Sequence, residues 1–419
     1  MKLRLSVVST GAAVLALAGC STTPPQSAPA PARLTGAETI TPQDMYARIG
    51  FLADDALLGR DTPSQGLDVA AAYIVSEYRR MGLQPAGENG TFYQRYPYPL
   101  RAIDTAAVHF GTMDAAGKSQ RLTYGTDFYA TPVSARPGAA MGKAGLVYVG
   151  KLDEKGLPAG DYSKAIPMVE IPGQMTRDWR TEVSRATRAA EAAGAPAVVL
   201  VLDASFPDST FRQAATRSQA PQRALLNEKE IPVFYLTRRA ASGIVNRTRN
   251  ETTRTTAETP LAGLEAHFAA PAKVLDDRRP PNVVAVLPGS DPALKDEYVV
   301  LSGHMDHVGV GRPVNGDSIY NGADDDASGT AGLLEVAEAM ASLPERPRRS
   351  IVFLHVSGEE KGLIGSRWYS DHPTIPLEKI VANVNVDMIG RNSPDSVVVI
   401  GKDFSSLGKV VNAVGARHP

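Results

Sequence analysis

Four short segments gather the side chains that could do chemistry. They are Gly303-His304-Met305-Asp306, Gly322-Ala323-Asp324-Asp325-Asp326-Ala327-Ser328-Gly329, Ser357-Gly358-Glu359-Glu360 and Asp387-Met388-Ile389-Gly390. An imidazole among several carboxylates is unfavourable on charge grounds unless a cation neutralises the cluster. Imidazole nitrogen with carboxylate oxygen is a donor set that zinc accepts. Two such ions about 3.5–4 Å apart need one carboxylate to bridge them, further ligands for each, and a water between them. The chemistry this predicts is hydrolysis by an activated water. Neighbouring side chains of extended backbone point to opposite sides, so Glu359 and Glu360 can divide the work of ligand and general base.

The segments need elements that bring them together. Val283–Leu287, Tyr298–Ser302, Ile351–Val356 and Val381–Val386 are short runs rich in β-branched residues, as expected of strands buried on both faces. Thr330–Leu343 has the spacing of an amphipathic helix. Strands alternating with helices predict an α/β sheet, and in such sheets sites gather outside the carboxyl ends of the strands. Three of the four segments fall at those ends, and the fourth opens the helix. Taken singly, each motif has an ordinary reading. A lone Asp at a strand end caps a helix, as Asp326 could do, and Glu-Glu pairs are common on surfaces. The four together point to a metal site. His307 reads as structural or substrate-facing, and His355 as a sheet residue.

In order and surroundings these motifs resemble the co-catalytic di-zinc aminopeptidases of peptidase family M28. The stretch Glu359-Glu360-Lys361-Gly362-Leu363-Ile364-Gly365-Ser366 adds to the likeness, as do Gly59-Arg60 and Met81-Gly82-Leu83-Gln84-Pro85. The resemblance implies a mixed, mostly parallel α/β sheet flanked by helices. It implies that His304 and Asp387 bind one zinc, Glu360 the other, and that Asp325 bridges the two ions. It makes Glu359 the base that deprotonates the attacking water and Asp306 the carboxylate that orients His304. A cis peptide after Asp325 is also implied. The family's second zinc takes a final His well downstream of the Asp387 position. His418 follows it too closely to fit, so the expectation is a chain lacking the C-terminal part of that domain.

Between about 126 and 264 the texture differs: short β-like runs, a helix closed by Gly194, and no cluster of His and acidic residues. Ala189-Ala190-Glu191-Ala192-Ala193-Gly194-Ala195 leading into Val198-Val199-Leu200-Val201 resembles the protease-associated domain. The expected organisation is therefore a first peptidase part over 41–125, a smaller β-rich insert over 126–264, and a second peptidase part over 265–419. Ahead of these, Lys2 and Arg4 precede the apolar run Leu5–Ala18, which is too short to span a bilayer but suits a secretory signal. Leu17-Ala18-Gly19-Cys20 resembles the lipobox of bacterial lipoproteins, with Cys20 as the lipidated residue and 21–40 as a Pro/Ala/Ser-rich tether. The expected location is the bacterial cell envelope, with the lipid as the only membrane contact.

Composition narrows the rest. The 419 residues carry 44 basic and 45 acidic side chains, a formal net charge of -1, which excludes a generic nucleic-acid binder. A single cysteine excludes both an intramolecular disulfide and a thiolate zinc site. The function expected is a zinc-dependent exopeptidase acting on peptide substrates, most simply an aminopeptidase. The alternatives are a carboxypeptidase acting on acidic residues, or a non-catalytic binding protein on the same fold.

Overall fold

A computed structural model describes residues 35–131, 140–154, 156–171, 177–225, 230–247, 259–391, 393 and 396–417. Cys20, the leader before it and His418 lie outside the described residues. Two helices come first. Helix α1 (Pro42–Leu52) starts with Pro42 in its first turn, and the Thr41 side chain accepts from Asp44 N at 3.1 Å. Helix α2 (Gln65–Met81) is capped by Ser64, which accepts from Leu67 N at 3.1 Å, and ends on Gly82 at φ +79°.

The apolar runs form the sheet that carries the site. Strand β1 (Pro281–Leu287) pairs antiparallel with β3 (Ser350–Val356), and β3 runs parallel to β2 (Tyr298–His304). On its other side β2 runs parallel to β4 (Ile380–Asn385). The short strands Gln84–Pro85 and Tyr93–Arg95 add to β1, antiparallel. The sheet is thus mixed, and its three parallel strands β3, β2 and β4 are those whose ends bear the chemistry.

Side-chain alternation sorts the core into two layers. Val283, Ala285 and Leu287 of β1, with Phe353 of β3, pack on Leu67, Ala71, Ile74 and Tyr78 of α2. The same layer includes Leu334 and Ala337 of α3 (Ala327–Ser342). Val284, Val300, Val352 and Leu354 face the opposite way, toward Tyr369 of α4 (Ile364–Asp371) and Ile375. All seven residues of β3 are buried, as a central strand with helices on both faces requires. Strand β4 pairs only with β2 among the described residues, and its Val381 and Val384 are exposed.

A second, eight-stranded sheet lies between the two stretches that build the first. Strands 141–150, 165–171, 198–202 and 233–236 run parallel in that order. Strands His109–Asp114 and Ser119–Arg121, ahead of the expected entry point at 126, belong to the same sheet. Leu100–Ile103 and Ala272–Asp276 pair antiparallel where the chain enters and leaves this region. No helix among the described residues is long and apolar enough to cross a membrane.

Candidate metal centre

The carboxyl ends of β2, β3 and β4 and the start of α3 converge, because parallel strands in register deliver their ends to one rim. His304 is the last residue of β2 and pairs across with Val356, the last of β3. Asp387 follows β4, which is held to β2 by the bond from Val386 N to Ser302 O at 2.8 Å. The loop after Asp387 is tied to the start of α3 by three successive N–H groups. Met388 N donates to Asp326 Oδ1 at 3.1 Å, Ile389 N to Ser328 Oγ at 3.0 Å, and Gly390 N to Asp324 Oδ1 at 2.8 Å.

Asp326 is fully buried and does more than cap. It accepts from Gly329 N at 2.9 Å as the N-cap of α3, and its other oxygen accepts from His304 N at 3.2 Å. Gly329 must lack a side chain, because a Cβ there would stand 2.3 Å from Asp326 Oδ1. Asp324, which sequence alone reads as a cap or a solvated group, instead holds Gly390 and pairs with Arg391 at 2.7 Å. The peptide between Asp325 and Asp326 is cis.

The expected ligands His304, Glu360 and Asp387, joined by His307, gather around Asp325. Its Oδ1 lies 3.1 Å from His304 Nε2, and Asp387 Oδ1 lies 3.7 Å from the same nitrogen. Its Oδ2 lies 4.0 Å from His307 Nδ1, which is itself 2.7 Å from Glu360 Oε1. Donor atoms of His304, Asp325 and Asp387 form one group close enough to share an ion, and those of His307, Asp325 and Glu360 form a second. Asp306 is fully buried beside them. Its backbone oxygen lies 3.1 Å from His304 Nδ1 and its carboxylate 3.6 Å away, which leaves Nε2 as the ligand nitrogen.

Glu359 and Glu360 are not in extended backbone. Gly358, at φ +70°, ends the strand direction, and Glu359 opens a turn whose carbonyl accepts from Gly362 N and Leu363 N at 2.9 Å each. The turn, rather than strand alternation, separates the two side chains. Asp306 Oδ1 accepts from Glu359 N at 3.3 Å, and Thr62 Oγ1 links Asp306 Oδ2 (2.9 Å) to Gly358 N (3.0 Å).

The charge balance is that of a site short of cations. Burial works against a charged His304, but Asp306, Asp326 and Asp387 outweigh it and push the imidazole up to about 9. Burial, with Asp387 adding to it, pushes Asp326 up to about 7 against the pull of His304. Glu359 is also raised, by burial first and then by Glu360, Asp306 and Asp387. The buried atoms His307 Nδ1 and Glu360 Oε1 face each other without making a hydrogen bond. Orphaned donors of both kinds, with carboxylates on two sides, fit a divalent ion with zinc's ligand preferences.

Two residues of this region carry no sequence signal of their own. His307 stands one place beyond Asp306, and only the fold shows it opposite Glu360. Thr62 lies in a turn-rich loop, 244 and 296 residues before the two groups it links.

Residues 282–418 match the model of peptidase family M28. A probable zinc metalloprotease of Pyricularia oryzae is 36% identical over 134 residues, covering 32% of this chain and 24% of that protein. The aminopeptidase NAALADL1 of Mus musculus is 37% identical over 120 residues, 27% of this chain and 14% of its own length. The leupeptin-inactivating enzyme 1 of Streptomyces exfoliatus is 33% identical over 114 residues, 27% and 23% of the two chains. The matches thus span a quarter or less of those relatives. Among solved structures, an aminopeptidase from Aneurinibacillus sp. strain AM-1 is 18% identical, with 86% of this chain and 73% of that one covered, at a TM-score of 0.37.

Proposed function

We propose that this chain, whose residues 282–418 belong to peptidase family M28, is a zinc-dependent exopeptidase that removes N-terminal residues from peptides. The observation that carries the proposal is the position of Asp325, shared between a His304/Asp387 group and a His307/Glu360 group. His304 and Asp387 would hold one ion, Glu360 and His307 a second, and Asp325 both. Bound there, such ions polarise a peptide carbonyl and stabilise the negative charge that develops on its oxygen.

The chain's own residues supply the rest. Glu359 takes a proton from the attacking water at its carboxylate and returns it to the leaving amine. Its raised pKa suits that exchange, since a proton acceptor works best when its affinity approaches the working pH. Asp306 holds the Glu359 backbone and aims His304. The free N-terminus of the substrate would sit near Glu359, whose carboxylate is not among the ligand groups. The zinc metalloprotease and aminopeptidase names among the relatives support the same reading. The Leu17–Cys20 motif supports an envelope lipoprotein anchored through Cys20.

The test is hydrolysis of leucine p-nitroanilide and of its N-acetylated form, before and after treatment with a chelator. Cleavage of the unblocked compound, lost on chelation and restored by zinc, is the expected result. Equal cleavage of the blocked compound would overturn the aminopeptidase reading. Activity indifferent to the chelator would overturn the metal.

A further inference from the structure

Arg60 is 1% exposed, yet among the described residues its side chain makes no hydrogen bond to a carboxylate. Its guanidinium is held by backbone carbonyls from three separate segments. Nε donates to Met305 O at 3.0 Å, Nη1 to Asn321 O at 2.7 Å and to Leu52 O, and Nη2 to Gly322 O at 3.0 Å. Met305 follows the ligand His304, and Asn321-Gly322 open the loop that delivers Asp325. The Arg60 carbonyl accepts from His307 N at 3.3 Å. One side chain therefore fastens the end of α1, the His304–His307 loop and the Asp325 loop to each other.

The local backbone is shaped for this task. Leu58, Gly59 and Arg60 are successively left-handed, at φ +48°, +67° and +51°. Gly59 packs so closely on the hairpin 309–320 that a Cβ would meet Tyr320 O at 2.4 Å. The turn thus enters where a side chain could not, and drives the guanidinium inward.

We infer that Arg60 is a positioning residue for the metal pocket, setting the spacing between the loop that carries His304 and the loop that carries Asp325. The inference rests on the metal-site reading above. Arg60 acts on that pocket in two opposed ways. Its positive charge repels a cation, so losing the charge should tighten metal binding. Its forked hydrogen bonds fix the donors, so losing the fork should weaken it. The fork wins, because the bonds are buried at contact distance whereas the charge acts through space on carboxylates whose side chains are 35% (Asp325) and 42% (Asp387) exposed to screening water. Lysine keeps the charge but is a point donor and cannot reach carbonyls on three segments.

The experiment is cobalt titration of the full chain, followed by the visible absorption of the bound ion, with wild type, Arg60→Lys and Arg60→Gly. Glycine suits the left-handed backbone at this position. Both variants should bind cobalt at least about 10-fold more weakly, the range seen when groups that hold metal ligands are removed, with an altered spectrum. Added guanidinium ion should restore binding to Arg60→Gly, and ammonium should not. Folded variants that match wild type in affinity and spectrum overturn the inference, and so does Arg60→Lys matching wild type while Arg60→Gly does not. A wild-type chain that takes up no cobalt overturns the metal reading itself. Should neither variant fold, the Arg60 Nε–H resonance of the wild-type protein answers the question during zinc titration. A shift that saturates with the bound metal is expected, and a resonance that ignores zinc overturns the inference.

Discussion

His307 Nδ1 and Glu360 Oε1 face one another at 2.7 Å in the interior, and neither makes a hydrogen bond. Buried polar atoms rarely remain unsatisfied, and a nitrogen and a carboxylate oxygen brought this close beside Asp325 suit joint ligation of one ion. On the proposed two-ion reading, replacing His307 by Ala should lower the affinity for the ion at the Glu360 group by at least about 10-fold, while the His304 group keeps its own. Metal content per folded chain after dialysis, by mass spectrometry, reads this directly. Two tightly held ions in His307→Ala would remove His307 from the ligand set.

Glu359 and Glu360 are neighbours of identical chemistry, so a generic charge effect should treat them alike. The structure does not. Glu360 lies against His307, while Glu359 is fixed through its backbone to Asp306. Glu360→Gln should lose affinity for one ion, and excess zinc should recover part of the rate. Glu359→Gln should keep its metal and lose roughly 100- to 10,000-fold in turnover, the usual worth of a general base. Zinc content and peptidase rate on both variants decide the matter. Loss of metal from Glu359→Gln alone would reverse the two roles.

Much of this arrangement is legible in the residues, for physical reasons. Runs such as Ile351–Val356 are buried at every position because a central strand is covered on both faces, and His304 ends its strand while Asp387 follows its own by two residues, so reading the strands places them. The cap at Asp326 follows from an Asp before a helical pattern. What stays hidden depends on contacts between distant segments. Nothing in the type or spacing of Thr62 foretells its bond to Asp306, and His307 gains its meaning only when the Glu360 turn meets it. The turn at Glu359 was hidden for a local reason: Gly358 permits a left-handed bend that the apolar run before it does not announce.

Cys20 is the sole cysteine and ends the Leu17–Cys20 motif. Several acyl chains on one residue anchor stably, since each buried methylene contributes about 0.8 kcal/mol. Cys20→Ser should move the protein from the membrane fraction to the soluble envelope fraction. Unchanged fractionation, or the absence of incorporated labelled fatty acid in the wild type, would dismiss the anchor.

His355 is buried in β3 beneath the site. Thr330 Oγ1 donates to His304 O at 2.9 Å, so it can only accept from His355 Nδ1, 3.4 Å away. Tyr78 Oη lies 2.5 Å from His355 Nε2, and burial holds the Tyr78 proton on, so the phenol donates there. Both ring nitrogens are thus served in the neutral form, and a second ring proton would meet the Tyr78 hydroxyl head-on. Burial accordingly lowers His355 to about 3. The sign follows from linkage. The unfolded chain protonates His355 at its ordinary pKa of about 6.5, well before the folded one does, so acid favours unfolding. The contribution is fully present above pH 6.5 and falls by about 1.4 kcal/mol per pH unit below it, down to the folded pKa. Urea unfolding at pH 7 and pH 5, with chelator throughout so that metal loss does not enter, should show wild type losing about 2 kcal/mol more than His355→Gln. Other titrating groups cancel in that difference. Equal losses in the two proteins would mean that His355 is protonated in the fold, and that its ring between Tyr78 and Thr330 is not neutral.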